Sequence, residues 1–190
     1  RDQTRALARK NIDALLRGGY DAIITNAAGC GSTLKEYHEI LEHDPAYAAR
    51  AHQFSALVKD VTEFLASIEL NTAMKPVKAS VTYQDSCHLA HGQKVRVAPR
   101  KLMRAIPGLE LREMPGSDIC CGSAGVYNVV QNEMAMALLK KKMASVALTK
   151  ADVIATANPG CLLQLRAGAA MKKTGQRVVH VVELLDEAYR

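Results

Sequence analysis

An internal repeat constrains this 190-residue chain more than any other feature. Residues Ala6 to Cys30 lie over Ala137 to Cys161 without a gap, at an offset of 131 (161 − 30), with identities at Ala6/Ala137, Leu7/Leu138, Lys10/Lys141, Asp21/Asp152, Ile23/Ile154, Thr25/Thr156, Gly29/Gly160 and Cys30/Cys161. Each copy reads as a helical pattern, a short loop, an apolar strand and then Gly-Cys, which is the alternation of stacked α/β units. The expected fold is α/β: two repeated α/β units with small parallel sheets and cysteines at the C-terminal ends of strands.

The cysteines say what such strand ends are for. There are five, an odd number. The adjacent pair Cys120-Cys121 is poorly suited to a disulfide, because a ring closed across one peptide bond strains both the bond and the backbone. The stretch Arg1 to Leu16 is a charged helical pattern and not an apolar signal sequence, so a cytoplasmic, reducing setting is expected, where thiols serve metals or chemistry. Three strand-like runs, Val77 to Gln84, Leu109 to Met114 and Val153 to Ala157, are each followed by cysteine: Cys87, then Cys120 and Cys121 after the Pro115-Gly116-Ser117-Asp118 turn, then Cys161 after Asn158-Pro159-Gly160. Loops at the C-terminal edge of a parallel sheet converge on one crevice, so four thiols from three loops can meet. A metal or iron–sulfur centre is the first reading; redox-active thiols and buried structural cysteines are the others.

Helices are expected from Val126 to Leu148, after Gly122-Ser123-Ala124-Gly125, and from Leu162 to Lys172, after Cys161. A helix N-terminus offers free N–H groups and partial positive charge, which favour thiolate over thiol. Subtracting the offset from Cys120 gives a position before Arg1, so the chain reads as a fragment whose first repeat has lost its leading part. Cys30 is then either an orphaned metal ligand of that repeat or a small buried residue after a strand. Asp44-Pro45 opens an expected long helix, Ala46 to Leu70, with Phe54, Leu57, Val58, Val61, Phe64, Leu65 and Ile68 at helical spacing, and Asn71 to Pro76 reads as a linker. The division is 1–73, an incomplete first repeat with a connecting helix, and 74–190, a complete second repeat.

Composition removes other classes. At 48% hydrophobic the chain buries a real core, and no apolar run reaches the roughly 18 to 20 residues that a membrane-spanning helix needs. The formal charge of +6 includes Lys140-Lys141-Lys142, read as the solvated face of a helix that is apolar elsewhere, and 4% aromatic content gives little stacking platform for single-stranded nucleic acid. Cys87-His88 suggests a nucleophile and base, but neighbours on an extended segment point to opposite faces, and Asp85 and Ser86 complete no triad, so no catalytic residue is assigned. His88 and His91 are substitute ligands or hydrogen-bonded surface residues.

Three runs, Tyr83-Gln84-Asp85-Ser86-Cys87-His88-Leu89, Ile119-Cys120-Cys121-Gly122-Ser123-Ala124-Gly125 and Ala157-Asn158-Pro159-Gly160-Cys161, together with Asn26-Ala27-Ala28-Gly29-Cys30-Gly31, resemble the cysteine-rich CCG domain. That domain occurs in glycolate oxidase iron–sulfur subunits, lactate-utilisation proteins, anaerobic glycerol-3-phosphate dehydrogenase subunits and heterodisulfide reductase, and the likeness is nearest to the first. The resemblance implies an iron–sulfur cluster held by Cys87, Cys120, Cys121 and Cys161, with Cys30 left over from the first repeat's site. It implies a non-catalytic electron-transfer component, taking electrons from a flavoprotein partner that oxidises a 2-hydroxy acid and passing them toward the quinone pool, in the cytoplasm or peripherally at the inner face of the membrane. Some members carry another cysteine three residues after the last; here Gln164 stands there, which points to an ordinary four-thiolate cluster, 4Fe-4S. The family's N-terminal ferredoxin-like region with its two cysteine runs has no counterpart in these residues. Four thiolates also suit zinc, although Cys-x-x-Cys knuckles are missing, so a zinc-stabilised, non-redox scaffold is the alternative.

Overall fold

Short strand-like runs set two parallel sheets in the computed structural model, which describes residues 2–190. The first half runs through α1 (Asp2–Leu16), β1 (Ile23–Thr25), α2 (Ala28–Lys35), α3 (Tyr37–Ile40), α4 (Ala48–Leu57), β2 (Val58–Asp60) and α5 (Val61–Ser67). The second half contains β3 (Ala79–Gln84), a π-helical turn at His88–Gly92, α6 (Val97–Ala105), β4 (Leu109–Arg112), α7 (Tyr127–Val130), α8 (Asn132–Thr149), β5 (Val153–Thr156), α9 (Pro159–Lys172), β6 (Arg177–His180) and α10 (Val181–Tyr189). β1 pairs with β2, and the second sheet has the order β4-β3-β5-β6, parallel throughout.

Alternation along the strands divides the second core into two layers. Val81, Tyr83, Ala155 and Val179 face Leu102, Met103, Leu184 and Leu185, while Ile154 and Val178 face Leu139, Met143, Val146 and Leu165. Full burial of a side chain of this size stabilises by about 1.5–3 kcal/mol, and β5, covered on both faces, is buried at all four positions. A third core joins Ala8 and Ile12 of α1 to Tyr37, Leu41, Ala51, Phe54 and Val58.

The repeat read in the sequence is also a repeat of structure. α8, β5 and α9 follow the course of α1, β1 and α2 at the offset of 131, and α9 at 159–172 spans both α2 and α3 at 28–41. The correspondence continues past the matched segment: Val58-Lys59-Asp60-Val61-Thr62-Glu63 builds β2 and the start of α5, and Val178-Val179-His180-Val181-Val182-Glu183 builds β6 and the start of α10. α4 has no counterpart, because only 173–176 separate α9 from β6.

Two helical expectations are corrected. The stretch Ala46 to Leu70 is not one helix: α4 ends at Leu57, Val58–Asp60 pairs with β1 at Ile23↔Val58, and Asp60 caps a new helix. A three-residue strand between two amphipathic helices leaves the 3.6-residue spacing of Phe54, Leu57, Val58 and Val61 undisturbed, so periodicity could not reveal it. The helix expected from Val126 to Leu148 is broken at Gln131, whose φ of −130° and ψ of 53° separate α7 from α8.

Candidate metal centre

Three strand ends deliver the thiols. β3 stops at Gln84, and three residues later Cys87 enters helical geometry at φ −56°, ψ −41°, opening the π-helical turn. β5 stops at Thr156; Asn158 is extended, Pro159 fits the first helical position where no N–H is needed, and Cys161 lies in the first turn of α9. The loop after β4 carries Cys120 and Cys121. Its path depends on Gly122, at φ +93°, where a Cβ would stand 2.3 Å from the Ala135 carbonyl oxygen, so no other residue fits without moving α8. The Gly122 N–H, freed by this turn, donates to Cys120 Sγ at 3.3 Å.

The four sequence-derived thiols lie in a series, Cys87, Cys120, Cys121, Cys161, in which each influences the ionisation of the next. Cys120 is held far below the ordinary thiol range, chiefly by its neighbours Cys121 and Cys87. Those two are pushed up in return, Cys121 by Cys120 and Cys161, Cys87 by Cys120, and both by burial. Cys161 is lowered to about 7 by Cys121, with Asn158 and Ser86 assisting against burial. Cys121 and Cys161 are 1% and 4% exposed, whereas Cys87 and Cys120 open toward solvent. Among the described residues, no three or more His, Cys, Asp or Glu side chains close around a point that would hold a single metal ion. Soft thiolate donors on loops with small neighbours and at a helix N-terminus nevertheless fit an iron–sulfur cluster, whose charge the free N–H groups offset.

Sequence reasoning missed the residues that hold this arrangement. Beneath the thiols, Thr156 Oγ1 donates to Gln84 Oε1 at 2.8 Å, Ser86 Oγ and Thr156 Oγ1 lie 3.1 Å apart, and Gln84 Nε2 donates to the Asp85 carbonyl at 2.6 Å, all buried. Arg100 grips Asp85 with two bonds of 2.8 and 2.7 Å and lies over the Tyr83 ring, fixing the end of β3 just before Cys87. Lys142 corrects the reading of Lys140-Lys141-Lys142 as a solvated face: it is buried, and its Nζ donates to the Gly116 and Ser117 carbonyls at 2.7 and 3.0 Å, under the turn before the cysteine pair. The available signal was position, since Lys142 falls on the same helix stripe as Leu139, Met143 and Val146. Burial lowers the Lys142 pKa, and the nearby Cys121, Asp118, Asp85 and Cys120 act against that.

Asn158 joins the two halves, donating from Nδ2 to Cys161 Sγ at 3.5 Å and accepting on Oδ1 from the Gly29 N–H at 3.2 Å. Cys30, next to Gly29 in the first turn of α2, is exposed and outside the thiol series. Cys87 and His88 do not point apart as an extended segment would require; in helical geometry Cys87 Sγ is 3.7 Å from His88 Nδ1. His91 turns away, with Nε2 3.2 Å from the Asp118 carbonyl and Nδ1 3.0 Å from Arg96. No helix among the described residues is long and apolar enough to cross a membrane.

The sequence matches the profile of the family described as "Cysteine-rich domain" (CCG) over residues 1–35 and 81–166. It is 43% identical to the "Probable glycolate oxidase iron-sulfur subunit" of Bacillus subtilis, over 97% of this chain and 42% of that protein. It is 34% identical to the "Glycolate oxidase iron-sulfur subunit" of Escherichia coli, over 96% of this chain and 44% of that protein. A "Lactate utilization protein A" of Lysinibacillus sphaericus is 30% identical over 87% of this chain and 73% of its own length. The chain thus spans less than half the length of the two glycolate oxidase relatives.

Proposed function

The chain belongs to the cysteine-rich domain family, and we propose that it is the cluster-bearing part of an iron–sulfur electron-transfer subunit of a 2-hydroxy-acid dehydrogenase of the glycolate oxidase kind. The observation that carries this reading is that three strand-end loops bring four thiols near enough for each to shift the ionisation of the next. Cys87, Cys120, Cys121 and Cys161 hold the cluster, of the 4Fe-4S type, in the second repeat, residues 74–190. Residues 1–73 are the remaining part of a first repeat, and Cys30 is a ligand belonging to it. A flavoprotein subunit that oxidises the 2-hydroxy acid supplies electrons, and quinone receives them from the complex. The names of the glycolate oxidase and lactate-utilisation relatives support an oxidoreductase of this class.

When bound, the cluster accepts and releases single electrons without proton transfer at carbon. The chain's own residues hold, orient and shield. Gly122 and Cys161 present N–H-rich backbone to sulfur, Asn158 and Ser86 donate to Cys161, and Leu139, Met143 and Leu165 keep water from its inner side. A tetrahedral zinc ion, with Zn–S near 2.3 Å, would draw four sulfurs to within about 3.8 Å of one another.

Anaerobic purification with iron, sulfide and zinc analysis, and absorption before and after dithionite, tests the reading. Stoichiometric zinc without iron would defeat it in favour of a zinc-stabilised scaffold. Unchanged cofactor content in both Cys87→Ser and Cys121→Ser would show the ligand set to be wrong.

A further inference from the structure

The ion pairs that brace the cysteine loops close on themselves and leave one buried cation over. Asp118 pairs with Arg96 at 3.1 Å, Asp85 and Glu113 pair with Arg100 at 2.7 and 3.0 Å, and Arg104 reaches Glu113 at 3.2 Å, so three carboxylates are matched by three guanidinium groups. Lys142 is 3% exposed and forms no ion pair with a carboxylate among the described residues. Its Nζ donates to the Gly116 and Ser117 carbonyls, and the Ser117 carbonyl also accepts from the Asp85 N–H at 3.1 Å. The ammonium is thereby lodged where the end of β3, leading to Cys87, meets the turn leading to Cys120 and Cys121. Carbonyl dipoles satisfy its donors but bring no net negative charge, and a cation left without one in a dry interior is costly. Burial works against the Lys142 charge, and Cys121 leads the groups that favour it. The fold itself does not require a cation here: at the offset of 131 the first half has Asn11, which donates to the Tyr37 hydroxyl at 2.8 Å.

We propose, on the iron–sulfur reading above, that Lys142 is the counter-cation of the bound cluster: it offsets part of the negative charge that the cluster and its thiolates bring into the fold, and so favours the reduced form. Reduction adds one electron to a centre that is already anionic, with no proton moved at Lys142. A cation fixed in a medium of low dielectric lowers the cost of that added charge, whereas the charge of the exposed Lys141 beside it on α8 is screened by solvent. The neighbouring carboxylates do not take this role from the thiolates, since Asp85 is neutralised by Arg100 and Asp118 by Arg96. The thiolates are the unmatched anions within reach of the ammonium.

The full chain, purified anaerobically with its cluster, gives the test by dithionite titration followed through electron paramagnetic resonance, alongside iron and sulfide analysis. Lys142→Gln keeps an N–H donor for the carbonyls and removes the charge; its one-electron reduction should be disfavoured about tenfold, a midpoint shift of about 59 mV to the negative side. Lys142→Arg, which keeps the charge, should stay within about threefold of the parent, and so should Lys141→Gln, which removes a solvated charge. A Lys142→Gln midpoint equal to the parent's, with iron retained, overturns the proposal and leaves the cluster reading standing. An equal shift in Lys141→Gln also overturns it, because the effect would then be one of total charge and not of a buried counter-cation. If Lys142→Gln loses its iron, Lys142→Arg decides: iron kept there shows that the centre needs the charge, and iron lost there too shows that Lys142 serves the turn alone. Parent protein without iron and sulfide would instead defeat the cluster reading itself, and the counter-cation with it.

Discussion

Asp60 and His180 stand at equivalent points of the two halves, each closing a parallel strand and each capping the helix that follows. Asp60 Oδ1 accepts from the Thr62 N–H at 2.8 Å while Glu63 accepts from the Asp60 N–H; His180 Nδ1 accepts from the Val182 N–H at 3.3 Å while Glu183 accepts from the His180 N–H at 2.8 Å. Both are capping boxes, and an imidazole takes the place of a carboxylate in the second. Asp60 Oδ2 and His180 Nε2 are buried without protein partners, and α5 packs against α10.

Burial raises the Asp60 carboxyl above its ordinary 3.8, against the lowering effect of the Thr62 bonds and His180. A carboxyl with a raised folded-state pKa gives up its proton more readily in the unfolded chain, so stability falls as pH rises from the unfolded value through the folded one. The penalty then persists at neutral pH. Asp60→Asn keeps the capping oxygen and carries no charge, so urea denaturation between about pH 4 and pH 7 should give it a flatter profile than the parent chain, whereas Asp60→Ala should lose about 1 kcal/mol of cap. A slope unchanged in Asp60→Asn would mean that Asp60 is not the group responsible.

The Asp85–Arg100 pair anchors the end of β3, and Asp85 has only 2% of its side chain exposed. Arg100→Met strands that carboxylate and should cost about 3–5 kcal/mol in chemical denaturation, while adding Asp85→Asn should recover a large part of the loss. Equal stability of the single and double variants would argue that the pair is not coupled.

Gly122 and Gly125 both have positive φ, +93° and +65°, yet their surroundings differ. A Cβ at Gly122 meets the Ala135 carbonyl at 2.3 Å, and one at Gly125 meets nothing within 4 Å. Gly125→Ala should therefore cost only the conformational penalty of about 1–2 kcal/mol. Gly122→Ala must also displace the loop from α8, and should lower the iron content of anaerobically purified protein while Gly125→Ala retains it. Equal iron content in the two would remove Gly122 from the account of how Cys120 and Cys121 are held.

The repeat and the strand ends were legible because they depend on local sequence: Gly29-Cys30 and Gly160-Cys161 mark the same point of each copy, and β3, β4 and β5 fall inside the three strand-like runs. β2 was not legible, since three residues become a strand only through pairing with Ile23–Thr25. Lys142 and Asn158 were hidden for a related reason. A lysine in a basic run and an asparagine before proline have ordinary local explanations, and their roles come from partners at a distance, Gly116 and Ser117 for one and Gly29 for the other. Cys87 and His88 were misjudged because the chain turns helical directly after β3, which no spacing rule required.

Asn158 offers the sharpest test of the proposed centre. Its Nδ2 donates to Cys161 Sγ, and its Oδ1 is fixed by the Gly29 N–H, so the amide is held from the first half in the orientation that points its donor at sulfur. A hydrogen bond to a ligand sulfur stabilises the more negative, reduced state, so removing it should make reduction harder. Asn158→Ala should lower the midpoint potential on the order of 50 mV, about 1 kcal/mol for one electron, a fraction of what a bond to a charged group contributes. Asn158→Asp should lower it further, because a carboxylate would then face the thiolate. Ser86→Ala should act in the same direction while breaking the contact with Thr156 in place of the bond to Gly29. The readout is a dithionite titration followed by electron paramagnetic resonance, which reports the potential independently of any partner. A midpoint in Asn158→Ala indistinguishable from the parent, with the cluster retained, would mean that Cys161 is not a ligand or that its amide neighbour does not reach it once the cluster is in place.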